Sequence, residues 1–327
     1  METIEREPSE KLAFLGSPGV LDGRPECIET HMSWVFLTAD RAYKLKKPVR
    51  LPYLDHSTLA RRRRSCEEEL RLGRRLAPDV YLRVVPLVRS AGGLALDGEG
   101  EVVDWVVEMR RLPDERMLPA MIARGAATAE HADAIGDLLT RFYRSAPRAP
   151  WDGEAYRRRV RDTIVGMSDE LVQRDVPRPQ VEGVAAPVLA ALDAAAVAFA
   201  ARVDAGRVID AHGDLRPEHV CLEDPPVIID PLEFDAELRM MDALSELAFF
   251  SLECERLDAG WFGARVSRRY AERTDDPMPP TLVAIYRGYH ALTRAVLALR
   301  HLDDHPDAER RWRDRADDYL RRAAPTT

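Results

Sequence analysis

The alternation of apolar and polar residues changes rhythm near residue 112. Before it, short runs with the two-residue period of strands recur between turn residues; after it, apolar positions recur at helical spacing. Residues 32–38 and 42–47 read as strands joined by Ala39-Asp40-Arg41, with Pro48 stopping the second. Asp55-His56-Ser57-Thr58 is a capping cluster, predicting a helix over 57–76 that Ala77-Pro78 ends. Val84–Val88, Gly93–Asp97 and Val102–Met109 are further strand candidates, with turns at Gly92-Gly93 and Asp97-Gly98. From Pro113 onward helical patterns dominate, interrupted over 209–235, where Val220–Leu222 and Val227–Ile229 read as a short β pair. The expected organisation is α+β: a strand-rich lobe over 1–112 and a mostly helical lobe over 113–327.

Composition narrows the classes. With 327 residues, 46% apolar and 32% charged, the chain has the make-up of an ordinary globular protein. A net charge of −8 argues against nucleic-acid binding through a global positive field. The four cysteines at 27, 66, 221 and 254 show no metal or disulfide spacing and are expected to be reduced. The start, Met1-Glu-Thr-Ile-Glu-Arg-Glu7, is acidic and lacks an apolar leader core. The most apolar stretch, Val184–Val203, is broken by Pro187 and Asp193, so no membrane span is expected and the chain reads as cytoplasmic. Lysines occur only at 11, 44, 46 and 47, against 44 arginines (48 cations less four). Three of the four crowd into Tyr43-Lys44-Leu45-Lys46-Lys47, which suggests a place where a compact ammonium matters.

Candidate chemistry gathers in two places. In the helix over 57–76, Cys66, Leu72 and Leu76 share a face, and Glu69 lies on that apolar stripe. A carboxylate aimed at a core needs a cation, and the preceding strand offers Lys44, with Lys46 two residues on along the same face. A strand lysine paired to a helix glutamate is the arrangement that holds nucleotide phosphates in kinases. The second place is His212-Gly-Asp214-Leu-Arg216-Pro-Glu218-His219, followed by Asp230 at the end of the run Val227–Ile229. The two aspartates are expected at neighbouring ends of one hairpin, both facing the cleft. Asp214 could accept a hydroxyl proton, Arg216 could steady a transferred phosphoryl group, and Asp230 could hold Mg²⁺. Val107, Met109 and Leu112 could line an adenine slot, with the backbone of Glu108 and Met109 reading the base edge. A different reading takes His212, Asp214, His219 and Asp230 as ligands of a metallohydrolase ion. The arginine run 61–64 reads as a solvated helix face.

The string from His212 to Leu222 resembles the catalytic loop of protein-kinase-like folds, and closely that of the aminoglycoside phosphotransferase family. Ile229-Asp230-Pro231 is similar to that family's metal-binding segment, and Asp242 and Glu246 to its following acidic pair. Thr30–Thr38 and Ala42–Pro48 resemble a bacterial branch of uncharacterised members. The resemblance covers about residues 28–300 and implies a two-lobed, protein-kinase-like fold that moves the γ-phosphate of ATP, with Mg²⁺, to a hydroxyl of a small molecule. It implies Asp214 as base, Asp230 as metal ligand, Lys44 as phosphate lysine and Glu69 as its partner. Three departures stand out. His219 replaces the usual asparagine as second metal ligand, and imidazole serves Mg²⁺ poorly. The turn from Glu29 to Ser33 has no glycine, though Ser33 there is counted among the cofactor-binding candidates. No GxxxxGK[ST] segment follows, whereas relatives in that branch often carry a C-terminal P-loop domain. The first departure raises an alternative, a catalytically weak nucleotide-binding module with a regulatory role.

Overall fold

The computed structural model describes residues 6–51, 54–303 and 305–323, so the acidic start Met1–Glu5 lies outside the described residues. Contacts group the chain into two compact units, Met1–Arg124 with Glu218–Leu238, and Gly125–Pro217 with Arg239–Thr327.

The first unit contains α1 (Arg6–Leu15), β1 (Glu26–Glu29), β2 (Ser33–Leu37), β3 (Arg41–Lys46), a small ladder of β4 (Arg50–Leu51) and β5 (Leu54–Asp55), and α2 (Leu59–Gly73). Then come β6 (Tyr81–Ser90), β7 (Gly93–Leu96), β8 (Glu101–Arg110) and the short α3 (Leu118–Ala123). Six strands form one antiparallel sheet in the order β1-β2-β3-β8-β6-β7. The two-residue period divides its side chains cleanly. Leu45 and Val106 join Phe36 and the α1 residue Leu15 in one cluster, while Ala42, Val107 and Met109 join Cys66 of α2 and Tyr81 in another. Lys44, an even number of residues from Ala42, therefore shares the face that meets α2.

Helix α2 starts where Thr58 accepts the Arg61 N–H through its hydroxyl, at 3.3 Å. It stops at Gly73, short of the expected Leu76, where the chain tightens into turns with Arg75 N–H on the Leu72 carbonyl and Leu76 N–H on that of Gly73; glycine at 73 leaves room for the Tyr81 ring of β6. Two elements had no signal in the pattern. In β1 every residue is exposed, so burial imposes no alternation. Helix α1 is anchored mainly by Lys11, which donates to Asp104 at 2.9 Å, and by Leu15 under the sheet.

The second unit holds α4 (Ala129–Ser145), α5 (Gly153–Gln173), α6 (Arg178–Ala194), α7 (Ala196–Asp204), β9 (Val208–Asp210), and, after residue 238, β12 (Met240–Asp242), α9 (Ala243–Arg256), α10 (Gly260–Thr274), α11 (Pro280–Arg300) and α12 (Glu309–Ala323). The intervening β10 (Val220–Cys221), β11 (Val227–Ile228) and α8 (Ala236–Arg239) lie in the segment that closes the first unit, apart from Arg239. The β10–β11 pair forms with Val220 opposite Ile228. The pairing of β12 with β9 was not anticipated; three residues inside a helical pattern become a strand only through a partner about thirty positions away. Among the described residues no single helix is long and apolar enough to cross a membrane, and the apolar stretch around Val184–Val203 is bent by 66° between α6 and α7. All four cysteines are free thiols.

Candidate active site

Side chains on β3, on α2 and after β11 build a charge lattice in the first unit. Lys44 donates to Glu69 Oε1 at 2.8 Å and to Asp230 Oδ1 at 2.6 Å. Lys46, with 1% of its side chain exposed, bridges Glu69 and Glu233. Glu69 is fully buried on the α2 face that meets β8, the position the apolar stripe assigned to it. Burial opposes the charge on Lys44, yet Asp230 and Glu69 outweigh it and hold the ammonium well above its usual range. Burial likewise works against the Asp230 carboxylate, and Lys44 and His219 overcome it to push the acid far below the usual carboxylate range.

Asp230 has φ of +59°, a left-handed backbone that a non-glycine residue keeps only when its surroundings hold it. Here its N–H donates to the Tyr81 hydroxyl at 2.8 Å, and the preceding Ile229 N–H donates to the His219 carbonyl at 2.9 Å. His219 Nε2 stands 3.5 Å from Asp230 Oδ2.

In the second unit, β9 leads into the loop that carries Asp214. That loop, and not the β10–β11 hairpin, places the residue: Asp214 precedes the hairpin and belongs to the other unit from Asp230. The expectation of two hairpin ends is corrected accordingly, because hairpin pairing takes up only Val220–Cys221 and Val227–Ile228. Gly213, at φ of +88°, turns the loop so that its N–H donates to Glu246 Oε1 at 2.7 Å, and the His212 N–H donates to Oε2 at 3.3 Å. Glu246, fully buried on α9, also accepts the Tyr143 hydroxyl at 2.8 Å. Asp214 Oδ2 accepts Arg216 Nε at 3.0 Å, and Arg294 Nη1 lies 4.0 Å from Oδ1. Asp242 is the N-cap of α9, bonded to Leu244 N–H and to Arg202 and Tyr286. Its carboxylate is fully committed to the framework.

Three sequence candidates change meaning. Glu108 and Met109 sit in β8 between β3 and β6, opposite Tyr43 and Ala42 on one side and Arg83 and Tyr81 on the other. Both residues are flanked by strands, and the register shifts between Tyr81 and Arg83 opposite them. The Met109 side chain, with Val107 and Leu112, does lie in one apolar cluster, against which Val35, Leu37, Met117 and Ile229 pack. Ser33 is buried at the start of β2, its N–H bonded to Thr30 Oγ1 at 3.0 Å. Sequence reading missed Glu233 as the second carboxylate on Lys46; the only signal was its place three residues after Asp230. It also missed the Tyr81 support of Asp230 and the capture of Gly213 by Glu246, contacts spanning 149 and 33 residues.

The donor chemistry can be tested against a divalent ion. Among the described residues no group of three or more His, Cys, Asp or Glu converges, which removes the geometric ground for a metallohydrolase centre. Asp230 keeps 43% of its side chain exposed, leaving room for a hard cation shared with a ligand's oxygens. A Mg²⁺ that arrives with phosphates fits this donor set; an ion held by protein ligands alone does not.

No family model matches the chain. It is 33% identical over 290 residues to uncharacterised proteins of Mycobacterium tuberculosis and Mycobacterium bovis, over 86% of this chain and 56% of theirs. The chain thus spans about half the length of these curated relatives. An aminoglycoside 3'-phosphotransferase of Streptomyces ribosidificus is 25% identical over 60% of this chain and 80% of its own. Among solved structures, a choline/ethanolamine kinase family protein from Mesorhizobium loti superposes with a TM-score of 0.57 at 18% identity, covering 98% of this chain and 95% of its own. The choline kinase LicA from Streptococcus pneumoniae gives 0.53 at 17% over 97% and 98%. An aminoglycoside phosphotransferase APH(4)-Ia complex with AMP-PNP and hygromycin B gives 0.52 at 14% over 97% and 99%. Likeness at this identity shows the fold, and the fold is the protein-kinase-like one that choline kinases and aminoglycoside phosphotransferases share.

Proposed function

We propose that the protein is an ATP-dependent phosphotransferase that moves the γ-phosphate to a hydroxyl group of a small molecule, working in the cytoplasm. One observation carries the reading: Lys44 is bonded at once to Glu69 of α2 and to Asp230 after β11, at 2.8 and 2.6 Å. A partly buried lysine held between a helix glutamate and a half-exposed aspartate is poised to trade one carboxylate for a phosphate. The fold shared with small-molecule kinases supports it.

Each residue then has a task. Lys44 meets the α/β-phosphates, and Glu69 and Lys46 fix its direction. The apolar cluster around Ala42, Met109 and Leu112, with Val35 and Ile229 beside it, takes the adenine ring through side chains. Ser33 closes the turn between β1 and β2, its N–H and carbonyl both bonded to Thr30, and so shapes the strands beside the phosphates. Asp230 is the residue that would hold Mg²⁺, which when bound neutralises charge on the phosphates. His219 orients the Asp230 carboxylate rather than joining it as a ligand, because imidazole suits softer ions. Asp214 takes the proton from the acceptor hydroxyl, and Arg216, now resting on that carboxylate, swings its guanidinium to the transferred phosphoryl group.

The test is a screen of phosphate transfer from labelled ATP and Mg²⁺ across amino alcohols, sugars and aminoglycosides, run beside calorimetric titration of ATP. Transfer to one acceptor class, lost in Asp214→Asn with ATP binding kept, is the expected result. ATP binding with no turnover on any hydroxyl would favour the regulatory module that His219 suggests. No ATP binding at all would end both readings.

A further inference from the structure

A cavity of about 270 Å³ opens in the second unit, lined by Tyr143, Arg144, Arg148, Arg207, Ile209 and Tyr270 among others. Among the described residues no Asp or Glu lines it, although the chain carries more acids than bases. The three guanidiniums reach it from α4, from the segment entering α5, and from the turn before β9. Arg148 is exposed and makes no ion pair among the described residues. Its guanidinium lies directly on the backbone of Gly206, where φ is +67° and a Cβ would overlap it. The chain thus clears space for that cation without giving it a counter-ion. Arg144 spends one donor on the Arg273 carbonyl. Arg207 donates to the Thr274 carbonyl at 3.5 Å and stands 3.7 Å from Asp276, a carboxylate already claimed by Arg202 and by the Tyr270 hydroxyl. Positive charge is in excess, and the walls between the cations are aromatic and aliphatic.

We propose that this cavity binds a small organic phosphate, whose phosphoryl group takes the guanidiniums and whose carbon skeleton rests on Tyr143, Ile209 and Ala243. Planar guanidinium forks match phosphate oxygens in pairs, which lysines would not, and lysine is absent from this unit. The volume exceeds what inorganic phosphate fills and approaches the ~300 Å³ at which small-molecule sites begin. The site is separate in composition from the residues assigned to phosphoryl transfer, and it does not depend on that assignment. It does touch their framework: Tyr143, on its wall, donates to the Glu246 that holds Gly213.

The experiment is calorimetric titration of the full chain with ribose 5-phosphate and glycerol 3-phosphate, with ribose and glycerol as uncharged controls. Saturable binding of a phosphate ester, absent for its parent alcohol, is expected. It should weaken about tenfold or more in Arg148→Gln and in Arg207→Gln, since each loses a charge-assisted contact. Lys44→Met, which alters the nucleotide half in the other unit, should leave it unchanged. Should Arg207→Gln lower the melting temperature, Arg148→Gln decides alone, its side chain having no ion pair to lose. Absence of saturable binding, equal affinity in Arg148→Gln, or loss of binding in Lys44→Met would each overturn the proposal.

Discussion

All four lysines fall in the first unit and none in the second, and the two units hold their charges by different means. In the first, alongside planar pairs such as Arg89 with Glu10 and Arg110 with Glu223, two ammonium groups are each shared by two carboxylates, Lys44 by Glu69 and Asp230 and Lys46 by Glu69 and Glu233, while Lys11 shares Asp104 with Arg62. In the second, guanidinium forks meet acids edge to edge: Arg265 takes Asp133, Arg269 takes Asp137, and Arg202 takes Asp242 and Asp276. A point charge can be shared between partners arriving from several directions, whereas each edge of a fork takes its partner at a fixed angle. The sharing arrangement can exchange a partner for a ligand. The paired arrangement fixes a frame, and in that frame Glu246 and Asp242 hold backbone, not substrate.

The comparison breaks most visibly in activity. Asp214→Asn keeps the loop and its size but removes the proton acceptor, so transfer should fall by roughly 10²–10⁴ while ATP affinity stays; unchanged turnover would remove Asp214 from that role. Next comes the lattice. Lys46→Met leaves Glu69 and Glu233 short of a buried cation and should cost about 3–5 kcal/mol in urea unfolding. Lys46→Arg should not restore it, because a planar fork cannot replace the shared ammonium, and a wild-type midpoint for that variant would refute the distinction drawn between the units.

A matched pair of histidines sharpens the comparison through pH. Burial lowers His56 to about 4 in the first unit and His290 to about 3 in the second. The unfolded chain takes up a proton on each near 6.5 and the native state does not, so stability is intact above 6.5 and falls as pH drops toward those values. The full window is worth on the order of 3 kcal/mol for His56 and about 5 kcal/mol for His290. The unfolding midpoint followed from pH 7.5 to 5 should show this slope, shallower in His290→Gln; an identical slope would exclude the histidine as its source. Glu246→Gln should cost about 1–3 kcal/mol by weakening the acceptor for Tyr143 and Gly213, with faster hydrogen exchange confined to residues 212–214. Smallest of all, Arg265→Ala removes a partly exposed pair and should cost less than ~1 kcal/mol.

Much of this was legible in the chain. Period-two runs located β2, β3, β6, β7 and β8, and the cap cluster located α2. The stripe containing Cys66 and Leu72 showed that Glu69 must face inward and needed a cation, which a neighbouring strand had to supply. What escaped was long-range: β12 as a partner for β9, Tyr81 beneath Asp230, Glu233 on Lys46. So was the placing of β8 between β3 and β6, strands from either side of α2.

By itself the sequence determined the identity of the charges and the faces they occupy, because side-chain direction follows from local period and burial from local polarity. Only the tertiary structure decided which charge meets which, and that residues 218–238 leave their sequence neighbours to join the first unit, bringing Asp230 to Lys44. Such pairings depend on how distant segments pack, and no local pattern records a partner 186 residues away.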